Sequence, residues 1–253
     1  MSRRSLEICV DDVAGVRAAI AGGADRIELC AALALGGLTP GAALVEAALR
    51  AARQAGTAVH AMVRPRAGDF TYDADELALA TAEARALIAL GLDGLVFGAV
   101  RGGRLDEPAL DAWTAAVATA GRPVALTLHR AIDVTADPVA EVETALRFGF
   151  DRILTSGGAP TAPKGSATIA RMVARAEGRC RIMAGSGVRA DNAAGLLAAT
   201  GVDELHASAS VVVDETDERV TALGFDTPPR RRTDAGTVRA LRAALDRNAE
   251  TTC

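Results

Sequence analysis

Short apolar runs alternate with longer Ala-rich stretches along this chain. LEICV from Leu6, VHAMV from Val59, VALTL from Val124 and CRIMA from Cys180 are short and apolar enough to be buried strands. Between them one phrase returns four times, as GADRIE from Gly23, GLDGLV from Gly91, GFDRIL from Gly149 and GVDELH from Gly201. In each copy a Gly able to end a helix is followed, two residues on, by an Asp that opens another apolar run. The phrase predicts a helix-to-strand joint repeated around the molecule. Eight strands are expected at 6–10, 25–30, 58–63, 94–97, 124–128, 152–155, 181–184 and 204–207. Helical composition and periodicity mark 41–54, 75–90, 108–120, 138–148, 168–176 and 191–199, with a last helix at 235–247. This alternation predicts an α/β fold, a single-domain (β/α)8 barrel of the TIM type over residues 1–253, with its chemistry at the C-terminal ends of the strands. Two segments break the repeat. Residues 64–72 are read as a loop at that face, and a connector from about 211 to 234 precedes the last helix.

Composition narrows the class. A chain of 253 residues can bury a sizeable core, and 50% hydrophobic with 24% charged residues is ordinary for a globular domain. No apolar run is long enough to cross a bilayer, and two Arg lead directly into the first strand without a signal-peptide core, so a cytoplasmic location away from membranes is expected. A net charge of −4 and only 3% aromatic residues argue against nucleic acid as a partner. The basic run at 230–232 is read as a solvated loop. Cys9, Cys30, Cys180 and Cys253 form no CxxC pair, so reduced thiols are expected rather than a disulfide framework or zinc finger.

Polar residues at predicted strand ends carry the candidate chemistry. Glu7 and Glu28 interrupt the apolar runs of the first two strands, where a carboxylate is costly unless it is paired or working. An ion pair to Arg26 or Arg64 is the structural alternative. All three His fall on strands or at their ends: His60, His129 and His206. In LHRAID, His129 offers proton transfer, Arg130 a charge and Asp133 an orienting carboxylate, unless Arg130 and Asp133 merely pair to shape the loop. Glu7, Glu28, His129, Arg130, Asp133 and His206 are thus the candidate acid/base set, with Glu7, Glu28, His129 and His206 expected at one end of the barrel. Small residues after strands seven and eight, with the helix that follows each, suggest an anion site. Gly185, Ser186, Gly187, Arg189 and Ser208, together with Arg64, are its expected ligands, and Arg66 and Arg130 lie within reach. The single Lys, Lys164, lies in a loop, which disfavours Schiff-base chemistry. Alternation along the strands puts Cys9 with Glu7 and Cys30 with Glu28, so the two thiols either meet at the mouth, where they suit a soft ion such as Cu(I), or serve as small buried hydrophobes.

LEICVDD, GGADRIELC, GGLTP, RPRAGDF with Tyr72, DGLVFG, HRAID, DRILTSGG and MAGSGVR together resemble the CutC family of copper-homeostasis proteins, from about Leu6 to Ser210. The resemblance implies a cytoplasmic, homo-oligomeric barrel protein tied to copper tolerance and Cu(I) binding, whose metal thiols match Cys9 and Cys30. Ile132 stands where the family usually carries Phe, and the segment after Ser210 matches less well. The first expectation is therefore copper homeostasis, with Cu(I) at the barrel mouth. The alternative is a metal-independent enzyme using acid/base chemistry on a small anionic substrate, such as a phosphorylated one. No organic cofactor is indicated.

Overall fold

A computed structural model describes residues 4–213, 217–225 and 229–250. Eight parallel strands close into a barrel: β1 (Ser5–Val10), β2 (Arg26–Leu29), β3 (Ala58–Met62), β4 (Gly94–Phe97), β5 (Ala125–Leu128), β6 (Arg152–Thr155), β7 (Arg181–Ala184) and β8 (Glu204–Ala207). They pair in sequence order, and β8 returns to β1 with Glu7 opposite His206. The outer layer holds α1 (Val13–Gly22), α2 (Ala42–Ala55), α3 (Ala74–Leu90), α4 (Glu107–Ala118), α5 (Glu141–Arg147), α6 (Ser166–Ala176) and α7 (Ala193–Thr200). After the barrel come α8 (Glu218–Ala222) and α9 (Ala235–Glu250). Among the described residues no helix is long and apolar enough to cross a membrane.

Period-two alternation decides which side chains reach the barrel axis. On β1, Leu6, Ile8 and Val10 join the apolar layer under the helices, while Glu7 and Cys9 turn to the other face. Local signals start the helices. Asp12 accepts from the Gly15 amide at the head of α1, and Asp73 with Glu76 forms a reciprocal capping box on α3.

The recurrent Gly-x-Asp phrase closes the lower rim. Gly23, Gly91, Gly149 and Gly201 all have positive φ, between 73° and 96°, where a side chain would be strained. Asp25, Asp93 and Asp151 each accept, through the carboxylate, the first free amide of the preceding strand: Leu6, Val59 and Leu126, at 2.8 Å each. Their backbones bond both neighbouring strands. In the fourth copy Asp203 bonds the Ser5 amide through its carbonyl, and its carboxylate faces Arg181 at 3.5 Å.

Three differences from the sequence reading stand out. Helix α1 was not among the predicted helices; its sequence VAGVRAAIAG is short and carries two Gly, a poor helix former. The predicted connector is in part ordered as an antiparallel hairpin, Ser210–Val213 against Arg230–Thr233. The basic run is one strand of that hairpin, and Arg231 folds onto Ser210 through its Oγ at 3.0 Å and its carbonyl at 2.9 Å.

Candidate functional site

The barrel axis is polar, and it is layered. In the lower layer Arg26 binds both Glu7 and Glu204, the latter at 2.7 Å, and Arg152 also binds Glu204. Arg26 donates in addition toward the Met183 sulfur at 3.3 Å. Glu7 is therefore an ion-pair partner of Arg26. Burial alone would raise its pKa, but Arg26 and the hydrogen bond from His206 outweigh burial and hold its carboxyl well below the usual range. His60, on β3, lies across Gly94, where an added Cβ would stand 2.6 Å from its ring. Burial pushes its pKa down to about 3, so it is neutral, and Nδ1 has no hydrogen-bond partner among the described residues.

In the layer above, β1, β2 and β8 bring Cys9, Glu28 and His206 together. Their ligating atoms all lie within 4.8 Å of one another, and all three residues are buried. His206 Nδ1 donates to Glu7 Oε1 at 2.7 Å, which fixes the ring and turns Nε2 toward Glu28 Oε2, 3.7 Å away. Burial opposes a charge on His206, yet Cys9, Glu28 and Glu7 around it raise its pKa well above the ordinary value. Glu28 is pushed up to about 7, chiefly by burial and further by Glu7, with His206 acting in the opposite sense. Its Oε1 has no hydrogen-bond partner among the described residues.

Cys30 lies beside Glu28 but outside the cavity lining. Strand β2 ends at Leu29, and the next residues bend away into a bridge between Ala31 and Leu38. The Cys30 side chain consequently packs with Met62, Val96 and Leu33, and its sulfur reaches Glu28 Oε2 at 3.8 Å. Burial and then Glu28 raise its thiol pKa well above normal. Cys180 lies just before β7, at the opposite end of the barrel, and Cys253 lies outside the described residues.

Above the triad opens a cavity of about 1030 Å³. Cys9, Glu28 and His206 form its floor, Arg64, Phe70, His129 and Arg130 border one side, and residues 186–191 and 207–210 with Arg231 border it elsewhere. Of the residues expected to converge, Glu28, His129 and His206 line this space, whereas Glu7 is one layer below. His129 does not have the environment of a proton carrier. Its Nδ1 accepts from the Ala131 amide at 3.1 Å, and burial followed by Arg64 lowers its pKa to about 3. The ring is thus a neutral donor through Nε2, which has no partner among the described residues. Asp133 is engaged away from the cavity by Arg130, Thr155, Ser156 and the Gly158 amide, so the Arg130–Asp133 pair, at 2.8 Å, shapes the loop.

The expected anion ligands divide as well. Arg64 is buried and clamps the carbonyls of Leu35, Gly37 and Gly68. Gly185 is a wall position, since its amide bonds the Thr155 carbonyl and a Cβ would lie 2.5 Å from Leu154. Ser186 holds a φ of 76° and donates its hydroxyl to the Pro160 carbonyl. Ser208 pairs its hydroxyl with Ser210 at 3.1 Å. Arg189 is exposed at the rim. Arg66 is held by Glu76 and Asp69, outside the cavity lining. Arg152, Glu204, Met183, Phe70 and Arg231 were missed by the sequence reading. The signal for Glu204 was present, two residues before His206 on the same strand face.

Comparison with known proteins gives a consistent picture. The family model described as the CutC family matches residues 4–211. A protein of Sinorhizobium medicae named as a CutC family member is 47% identical over 247 residues, covering 97% of this chain and 98% of the relative. Its counterpart in Caulobacter vibrioides is 44% identical over 245 residues, covering 94% and 97%. The crystal structure of the CutC protein of Streptococcus agalactiae, tied by name to copper homeostasis, superposes with a TM-score of 0.76 at 28% identity. That match covers 81% of this chain and 98% of the other. A thiamine phosphate pyrophosphorylase of Pyrococcus furiosus, at 16% identity and a TM-score of 0.59 over 96% of each chain, shares the fold.

Proposed function

The chain belongs to the CutC family, and from that premise we propose that it is a copper-homeostasis protein that takes up Cu(I) at the C-terminal mouth of its barrel. The observation that carries this reading is the approach of Cys9 Sγ, His206 Nε2 and Glu28 within one ligand sphere, above a carboxylate that orients the imidazole. Thiolate and imidazole are donors that suit Cu(I). Glu28 supplies a carboxylate oxygen at the same point, with Oε2 3.7 Å from His206 Nε2. Glu7 plays the part of the outer carboxylate that fixes a metal-binding histidine and keeps its Nδ1 protonated. Cys30 supports Glu28 from behind and is the second thiol of the site. Metal uptake requires Cys9 and His206 Nε2 to give up protons, so binding should release protons and strengthen as pH rises.

Anaerobic titration against a competing Cu(I) chelator tests this. Cys9→Ser and His206→Gln should each abolish tight binding, and Glu7→Gln should weaken it by about ten- to a hundredfold. Cys30→Ser should weaken binding less than Cys9→Ser, and Cys180→Ser should leave it intact. A Cys9→Ser, His206→Gln double variant that binds like the parent would sink the proposal. The same premise carries a cytoplasmic, homo-oligomeric protein, and the exposed Val212, Val220, Leu223 and Phe225 give assembly an apolar surface. Light scattering on the purified protein reads the oligomeric state directly.

A further inference from the structure

A metal ion does not account for the size of the cavity. A water molecule takes up about 30 Å³, against about 1030 Å³ here, a volume at the upper end of those that hold whole metabolites. Charge at the rim favours an anion. Arg64, Arg130, Arg189 and Arg231 border the space, against Glu28 and Asp191. Arg130 is tied to Asp133 and Ser156, and Arg231 to Ser210, whereas the exposed Arg189 guanidinium makes no hydrogen bond or ion pair with any described residue. Next to it the amides of Ser186, Gly187 and Val188 donate to no described group, and Ser186 keeps a positive φ that is unusual for a residue with a side chain. Backbone donors beside a free guanidinium form the kind of environment that holds a phosphate or carboxylate.

Deeper in, two polar atoms lack protein partners although their residues are only 3% exposed: His129 Nε2, a donor, and Glu28 Oε1, an acceptor. Leaving such groups unpaired is costly, and a hydroxyl group can satisfy either one. We propose that this cavity binds a small polyhydroxylated anion. Its charged group lies at Arg189 and the amides of 186–188, and its hydroxyls lie against the wall to which His129 and Glu28 contribute. This goes beyond copper binding: Arg189, His129 and the 186–188 amides belong to no metal ligand set, and Glu28 alone is common to both.

Calorimetric titration of the full chain with glucose 6-phosphate, inorganic phosphate and glucose tests the proposal. Glucose 6-phosphate should bind about tenfold or more tightly than inorganic phosphate, and glucose should not bind measurably. Arg189→Ala, a change at an exposed side chain, should weaken both phosphates by about tenfold or more. His129→Phe, which keeps a ring against Phe70, should weaken only the sugar phosphate. Arg189→Ala, outside every metal ligand set, should leave Cu(I) affinity as in the parent, so loss of copper binding and loss of anion binding are separately visible. The proposal is overturned if neither phosphate binds, if Arg189→Ala has no effect, or if inorganic phosphate binds as well as the sugar phosphate.

Discussion

Buried titratable side chains on the barrel axis set the pH range in which the fold is stable. His60 and His129 have pKa values of about 3 when folded against an ordinary 6.5, so the unfolded chain binds two more protons between those limits. Their stabilising contribution is full above pH 6.5 and is lost as pH falls toward 3. Glu28, raised from 4.5 to about 7, acts in the opposite sense: its contribution is full below 4.5 and is lost as pH rises through 7. His206, also raised, loses its contribution as pH climbs above 6.5. Between pH 4.5 and 6.5 two protons oppose one, which leaves a net loss of about 1.4 kcal/mol per pH unit on acidification. Above 6.5 the slope reverses, and below 4.5 it steepens, because Glu7 and Glu204 are held below their usual range. Urea unfolding across pH should show a maximum near pH 6.5; a flat profile from pH 5 to 8 would refute this assignment of charges. Sterics give a second test at this scale. Gly94→Ala drives a methyl into the His60 ring and should cost about 1–3 kcal/mol. Most of that cost should vanish in a His60→Ala background, as a double-mutant cycle by chemical denaturation would read.

The Gly-x-Asp joint is the element that repeats, and it explains why the strand count was legible. All four joints have a glycine that leaves a helix at positive φ, and in three of them a carboxylate ties the start of the preceding strand, so sequence and rim geometry repeat together. Asp93→Ala frees the Val59 amide and should cost about 1 kcal/mol. Asp151→Ala should cost a similar amount, and the two should add, since the joints share no partner. Unfolding midpoints would measure both, and strong non-additivity would mean that the rim behaves as one unit. The glutamates and histidines of the site were legible for a related reason: a polar side chain within an apolar strand signals pairing or work, and Glu7, Glu28 and His206 show the pairing. What stayed hidden depends on contacts between distant segments. Alternation keeps Cys30 on the side of Glu28, with its sulfur 3.8 Å from Oε2, but it does not reveal that Met62, Val96 and Leu33 pack over the thiol and leave it outside the cavity lining. The closure of Ser210–Val213 on Arg230–Thr233, which brings Arg231 to the mouth, rests on pairing across some twenty residues that no local pattern encodes.

Across the whole molecule, the ionic layer and the site above it share residues, so the stability of the barrel and its chemistry are linked. Arg26 bonds Glu7 and Glu204 within the lower layer, and Glu7 in turn fixes His206 in the layer above, which faces the cavity. Arg152 can still compensate Glu204 if Arg26 is lost, but among the described residues Glu7 would keep only His206 as a charged partner. Arg26→Met replaces the guanidinium by an apolar chain of similar reach and leaves a buried carboxylate under-compensated. It should cost about 3–5 kcal/mol of stability, the range for breaking one side of a buried ion pair. Its effect should also reach the site. With less positive charge beneath it, Glu7 competes more strongly for the His206 proton, the imidazole is held differently, and Cu(I) affinity changes although no metal ligand was touched. Arg242→Met is the matching control. That side chain is equally buried but pairs with Asp25 and Asp246 at the lower rim, so it should lower stability while leaving Cu(I) affinity as in the parent. Unfolding and Cu(I) titration on both variants separate the two roles: equal effects on affinity would show that the ionic layer supports the fold alone.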